Sequence, residues 1–226
     1  MPINNTLAKV KHLRSPILFH KNRNRIGHVS KRKSRRILPS FVMKKETDLS
    51  THTNAIKVAV IGPESTGKTV LVKELAQFYN CNFVLEYARH YVESLKRRYR
   101  YDDIMVISKK QRELEKAAYE KSTKLLICDS AMITNKVWSY DKFEKCDPWI
   151  EKEIKLESFD LFLLCKPDLQ WENDPVREDA ERGAQIFEIY VRYLTEYNFD
   201  FGIVEGKNTA RIDAAIGYID KLFSTF

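Results

Sequence analysis

The octapeptide Gly62-Pro63-Glu64-Ser65-Thr66-Gly67-Lys68-Thr69 sits between two stretches that leave it little choice of setting. Before it, Ile56-Lys57-Val58-Ala59-Val60-Ile61 is apolar and β-branched, the composition of a strand buried in a parallel sheet. After it, Val70, Leu71, Leu75 and Phe78 recur at helical spacing, with Glu74 and Gln77 between them. Strand, glycine-bearing turn and helix start together make a phosphate-binding loop of the form G-x-x-x-x-G-K-[ST]. Its backbone N–H groups and the helix N-terminus cradle phosphate oxygens. Gly62 through Val70 are therefore the candidate nucleotide-binding residues. Lys68 reaches the β/γ-phosphates and the Thr69 hydroxyl ligates Mg²⁺, so the expected ligands are ATP and Mg²⁺.

The rest of the chain fits a matching sheet. Asn82-Phe83-Val84-Leu85, Leu125-Leu126-Ile127-Cys128, Phe159 to Cys165 and Phe201-Gly202-Ile203-Val204 read as further strands. Helical patterns lie between them: one around Tyr91, Val92 and Leu95, one that Asp102-Asp103 can cap, and a last one from Thr209 to Phe223. The prediction is an α/β P-loop NTPase fold, a doubly wound five-stranded parallel sheet with helices on both faces. Residues 55–226 form this domain, and residues 1–54 form a disordered basic N-terminal segment.

The net charge of +8 belongs to that segment. Residues 1–42 hold eleven Lys/Arg and no acid, which leaves 28 basic against 31 acidic residues in the remainder. Lys31-Arg32-Lys33-Ser34-Arg35-Arg36 reads as a nucleic-acid contact or nuclear address, and the whole arm as an organellar transit peptide. In the third and favoured reading, translation starts at Met43, because Met43-Lys44-Lys45-Glu46-Thr47 looks like an ordinary bacterial N-terminus. No run of about 18 apolar residues appears, which excludes a membrane-spanning helix. Cys81, Cys128, Cys146 and Cys165 form no C-x-x-C, and Cys128 and Cys165 lie in strand-like runs as small buried hydrophobes. The expectation is a reduced, cytoplasmic protein without a structural metal.

Ligands bind at the carboxyl ends of such strands, and three polar clusters fall there. Asp129 follows a strand directly, where a carboxylate holds Mg²⁺; the alternative is a cap for the next helix. Glu86 follows the second strand and is a candidate general base for a substrate hydroxyl; the alternative is a surface carboxylate paired with Arg89. Trp171 through Arg182 is polar and interrupted by Pro175, either a lid whose Arg177 and Arg182 meet the transferring phosphoryl group or a solvated loop. Gly206 to Arg211 passes the adenine base or is a plain turn.

Gly62–Thr69 with its Pro-Glu-Ser-Thr interior, Glu86-Tyr87-Ala88-Arg89, Cys128-Asp129-Ser130 and Trp171 through Arg177 together resemble the ribosylnicotinamide kinase domain of the NadR family. The resemblance covers about residues 56–224. It implies ATP-dependent phosphorylation of nicotinamide riboside, a small-molecule partner, at its 5′-hydroxyl, giving nicotinamide mononucleotide for NAD salvage. It further implies that Lys68, Glu86, Asp129, Arg177 and Arg182 serve catalysis and that Thr69 and Asp129 serve the metal. Glu86, Tyr87, Arg89, Trp171 and Asp174 would contact the riboside. Some relatives carry tryptophan where Leu85 stands, so Trp171 or Tyr119 becomes the candidate for stacking on the base. The chain shows no H-x-G-H signature of the adenylyltransferase domain found in the full-length family protein. Another nucleoside kinase, or a regulatory ATP-binding protein, remains the alternative.

Overall fold

Alternate side chains of β1 (Ile56–Ile61) enter different cores, and that alternation organises the whole domain. Val58 and Val60 pack on one face of the sheet with Leu71, Val72 and Leu75 of α1 (Lys68–Tyr79) and Ala215 and Ile219 of α7 (Thr209–Phe223). Ala59 and Ile61 pack on the other face with Ile133 and Val137 of α4 (Met132–Phe143) and with Ile186, Phe187 and Tyr190 of α6 (Gly183–Glu196). β4 (Leu161–Cys165) divides its side chains in the same way. Burial on both faces explains why these strands are continuous apolar runs. The computed structural model describes residues 55–169 and 182–225. The segment predicted to be a disordered basic arm lies outside the described residues.

The sheet is parallel throughout, in the order β2-β3-β1-β4-β5, with β2 spanning Asn82–Val84, β3 Leu125–Asp129 and β5 Phe201–Val204. The predicted α/β class, five-stranded parallel sheet and helices on both faces are therefore present. Three strand boundaries differ, the smallest at β3, which extends by one residue to include Asp129. β2 stops at Val84, leaving Leu85 exposed. β4 begins at Leu161, because the Asp160 carboxylate accepts a hydrogen bond from the Lys57 N–H at 2.8 Å and ends the approach to the strand.

Between strands lie α2 (Tyr87–Ser94), α3 (Tyr101–Tyr119) and α5 (Pro148–Leu156). Asp103 shapes the start of α3 by accepting from the Arg100 N–H at 2.6 Å. The helices α4 and α5 are additions to the predicted pattern. Asp147 caps α5 by accepting from the Trp149 N–H at 2.8 Å, with Pro148 as its first residue. Among the described residues, no helix is long and apolar enough to cross a membrane.

Candidate active site

The turn after β1 needs glycine at both ends. Gly62 has φ +137° and a Cβ there would stand 2.6 Å from the Cys165 carbonyl oxygen, so any side chain would collide with β4. Gly67 caps α1 with φ +74° in the left-handed region. Within the loop, the buried Thr66 hydroxyl donates to the Pro63 carbonyl at 2.8 Å, and the Lys68 ammonium donates to the same oxygen at 2.8 Å. The loop is thus folded onto itself around one carbonyl, with α1 directed at the space above it.

Arg211, 4% exposed, holds the loop from below. It donates to the carbonyls of Thr66 at 3.1 Å, Lys166 at 2.7 Å and Gly206 at 2.7 Å, and pairs with Asp168 at 2.7 Å. Asp168 also accepts from the Gly206 N–H at 2.7 Å and is held below the usual carboxylate pKa, its hydrogen bonds from Gly206 and Arg211 outweighing its partial burial. One guanidinium therefore ties together the phosphate loop, the end of β4 and the loop after β5.

Asp129 closes β3, side by side with the P-loop. Its Oδ2 accepts from the Thr69 hydroxyl at 2.6 Å, while its Oδ1 is buried without a hydrogen-bond partner. Burial pushes the Asp129 pKa upward, and the charge of Lys68 and the Thr69 hydrogen bond pull against it. The next residue, Ser130, has φ +96°, a strained conformation for serine, and its N–H is fixed to the Val60 carbonyl at 3.0 Å. An orphaned carboxylate oxygen beside a hydroxyl is a hard-oxygen donor set that fits a magnesium ion.

Glu86, at the N-terminus of α2, enters the same space. Surrounding protein strips much of its hydration and pushes its pKa up to about 7; Lys68 pulls it down, Asp129 pushes it up and Arg89 pulls it down. Two carboxylates 43 positions apart in sequence thus face one lysine. Arg89 lines the cleft and also pairs with Glu93 at 3.3 Å.

The cleft over these groups has a volume of about 670 Å³, room for a nucleotide and a small acceptor. Asn208 of the loop after β5 and Thr209 and Ile212 of α7 line it beside Val70 and Glu74. Several lining residues were not singled out from sequence. Tyr99 and Trp138 meet edge to face at 4.9 Å, with Asp141 one turn beyond Trp138 and Tyr190 at the back. Their signal was weak: Trp138 and Asp141 sit on α4, whose pattern is broken by buried polar residues.

Three further candidate residues have defined surroundings. Tyr119 packs against the cluster of Val84, Leu126 and Cys128, 5.5 Å from the Lys57 ammonium, because it ends α3 away from the cleft. Tyr87 opens α2, with its ring 6.0 Å from those of both His90 and Tyr91 and its N–H donating to Gln111 of α3. Arg182 is described, and donates to the Asp141 carboxylate at the cleft. Trp171, Asp174 and Arg177 lie outside the described residues, as does the rest of the expected lid.

A 2-3-1-4-5 parallel sheet with this loop and a carboxylate ending β3 defines the P-loop kinase fold. Residues 57–211 match an AAA domain family, and the chain belongs to it. The trifunctional NAD biosynthesis/regulator protein NadR of Escherichia coli is 27% identical over 154 residues, 66% of this chain and 38% of that protein. Its counterpart from Salmonella typhimurium is 27% identical over 151 residues, 64% of this chain and 37% of its own length. The chain spans under two-fifths of these curated relatives. A crystal structure of NadR protein in complex with NR superposes with a TM-score of 0.66 at 24% identity, over 74% of this chain and 50% of that one. A thymidylate kinase from Ehrlichia chaffeensis shares the fold at a TM-score of 0.55 and 14% identity, over 74% of this chain and 98% of its own.

Proposed function

We propose that this chain transfers the γ-phosphoryl group of ATP to the 5′-hydroxyl of nicotinamide riboside, forming nicotinamide mononucleotide and ADP. The observation that carries the reading is the convergence of Glu86 and Lys68 in one cleft, with Asp129 buried beside them and hydrogen-bonded to Thr69 of the same cleft. The NadR relatives and the NadR complex with NR support the choice of acceptor.

The residues divide the work as follows. The loop from Gly62 to Thr69 holds the triphosphate through its N–H groups, and Lys68 exchanges the neutral Pro63 carbonyl for a phosphate oxygen. Thr69 and Asp129 would hold magnesium, which when bound neutralises charge on the phosphates. Glu86 accepts the proton of the 5′-hydroxyl as oxygen bonds to phosphorus, and ADP leaves. A carboxyl group with a pKa of about 7 is well matched to this task near neutral pH. Tyr99 and Trp138 offer aromatic surface to the base, and a pyridinium ring, being cationic, gains from aromatic faces and from the acids Glu64, Glu86 and Asp141 nearby. The reaction belongs in the cytoplasm, where ATP is available and the four free cysteines remain reduced.

The test is direct. Incubation with ATP and nicotinamide riboside should yield one product heavier by a phosphoryl group, its phosphate on the 5′-oxygen by ³¹P–¹H coupling. A folded Lys68→Ala protein should yield none. No product from the wild-type protein would end this reading.

A further inference from the structure

The helix that delivers Glu86 carries no fully buried residue: Tyr87, Ala88, Tyr91 and Val92 are only half-buried, so hydrophobic packing alone holds it weakly. Two polar contacts fix its direction against α3. At its far end, the Tyr91 hydroxyl donates to Asp103 at 2.9 Å, and Arg97 beyond the helix pairs with the same carboxylate at 2.6 Å. At its near end, the Tyr87 N–H, the group immediately after Glu86, donates to the Gln111 side-chain oxygen at 2.9 Å.

Gln111 is itself fixed. It is 2% exposed, and its amide nitrogen donates to Glu115 Oε1 at 3.2 Å; Glu115 is 1% exposed and faces Arg112 at 3.7 Å. These partners determine which way the amide points, because only the oxygen can face the Tyr87 N–H and only the nitrogen can face the carboxylate. Arg112 continues to Glu153 on α5 at 3.2 Å, so the amide is held by a chain of charged groups that reaches a third helix. The first N–H of a helix has no intrahelical partner, and a buried side-chain oxygen that takes it fixes where the preceding residue points.

We propose that Gln111 is a positioning residue that aims the Glu86 carboxylate into the cleft by pinning the first N–H of α2 to the interior of α3. Resting on the phosphotransfer reading, this assigns Gln111 a role without contact to substrate. Loss of the pin leaves α2 attached at its Asp103 end and lets the Glu86 end swing.

The experiment compares wild type, Gln111→Met, Gln111→Glu, Glu86→Gln and the double variant Glu86→Gln with Gln111→Met. Gln111→Met keeps volume and removes both hydrogen bonds; kcat should fall about tenfold while KM for ATP stays within about twofold. Gln111→Glu, kept protonated by the buried Glu115 carboxylate it faces, is a near-isostere that offers an acceptor to the Tyr87 N–H and a donor to Glu115, and should retain at least about half of kcat. In the Glu86→Gln background, Gln111→Met should cost less than about twofold, because the group it aims is already inactive. The Tyr87 amide of the wild-type protein should exchange with solvent at least about a hundredfold slower than in an unstructured chain. Should Gln111→Met fail to fold, Gln111→Glu and that exchange rate decide the matter alone. An active wild type with an equally active Gln111→Met protein, the same loss in both backgrounds, or an unprotected Tyr87 amide overturns the positioning role. A wild type that phosphorylates no nucleoside overturns the functional reading instead.

Discussion

The Thr69 hydroxyl donates to Asp129 Oδ2 across 2.6 Å, joining the first residues of α1 to the last of β3. The pair leaves Asp129 Oδ1 buried and unmatched. Asp129→Asn retains the acceptor toward Thr69 but loses the charge a metal needs. Its kcat should fall about a hundredfold or more, and the Mg²⁺ concentration for half-maximal rate should rise. Unchanged Mg²⁺ dependence in Asp129→Asn would remove the carboxylate from the metal site.

Glu86 makes a prediction about pH. As a base it works only when deprotonated, so activity should rise with pH through about 7, the value to which burial pushes it. The limb should appear in kcat/KM measured with both substrates well below saturation, which reports the free protein. Glu86→Gln should abolish the limb and reduce kcat about a hundredfold. A limb that persists in Glu86→Gln would transfer the base role to Asp129.

Much of this site could be read in the sequence because its parts are local. β1, the loop and α1 are contiguous, and each obeys its own period. The helix α4 escaped because Asn135, Lys136 and Ser139 are buried on it, so its inward face does not look apolar. Lys136 tolerates that burial by pairing with Glu151 at 2.9 Å and donating to the Tyr197 hydroxyl at 2.8 Å, partners 15 and 61 positions away. With α4 went Trp138 and Asp141.

Arg211 should matter for stability before it matters for rate. Arg211→Met frees three carbonyls and leaves the partly exposed Asp168 with only the Gly206 N–H, a loss of about 1 to 3 kcal/mol. The melting temperature should drop by several degrees, and KM for ATP should rise more than KM for the nucleoside, because the loops it joins line the nucleotide side. A fully stable Arg211→Met protein would show that the clamp is dispensable.

Glu157 offers a separate pH test, away from the cleft. Its Oε1 accepts from the Met132 N–H at 2.7 Å, and its pKa is pushed up to about 8 by burial and by the charge of Glu115, against the Met132 hydrogen bond, Arg112 and Lys57. The folded protein therefore binds a proton that the unfolded chain releases near its ordinary value of 4.5. The stability from this group is complete below that value and is lost as pH rises toward 8. Melting temperature should fall between about pH 5 and pH 8, and Glu157→Gln, which keeps the acceptor without the charge, should flatten that fall. An equal fall in both proteins would exclude Glu157 as its source.

The central claim concerns the acceptor, and the most direct measurement is kcat/KM for ADP release with nicotinamide riboside, adenosine, cytidine and thymidine under one set of conditions. The cationic riboside should exceed each neutral nucleoside by at least about tenfold, and Trp138→Ala should narrow that margin by weakening the cationic ring selectively. Equal rates for all four nucleosides, or a higher rate for a neutral one, would contradict the nicotinamide riboside assignment while leaving the kinase fold intact.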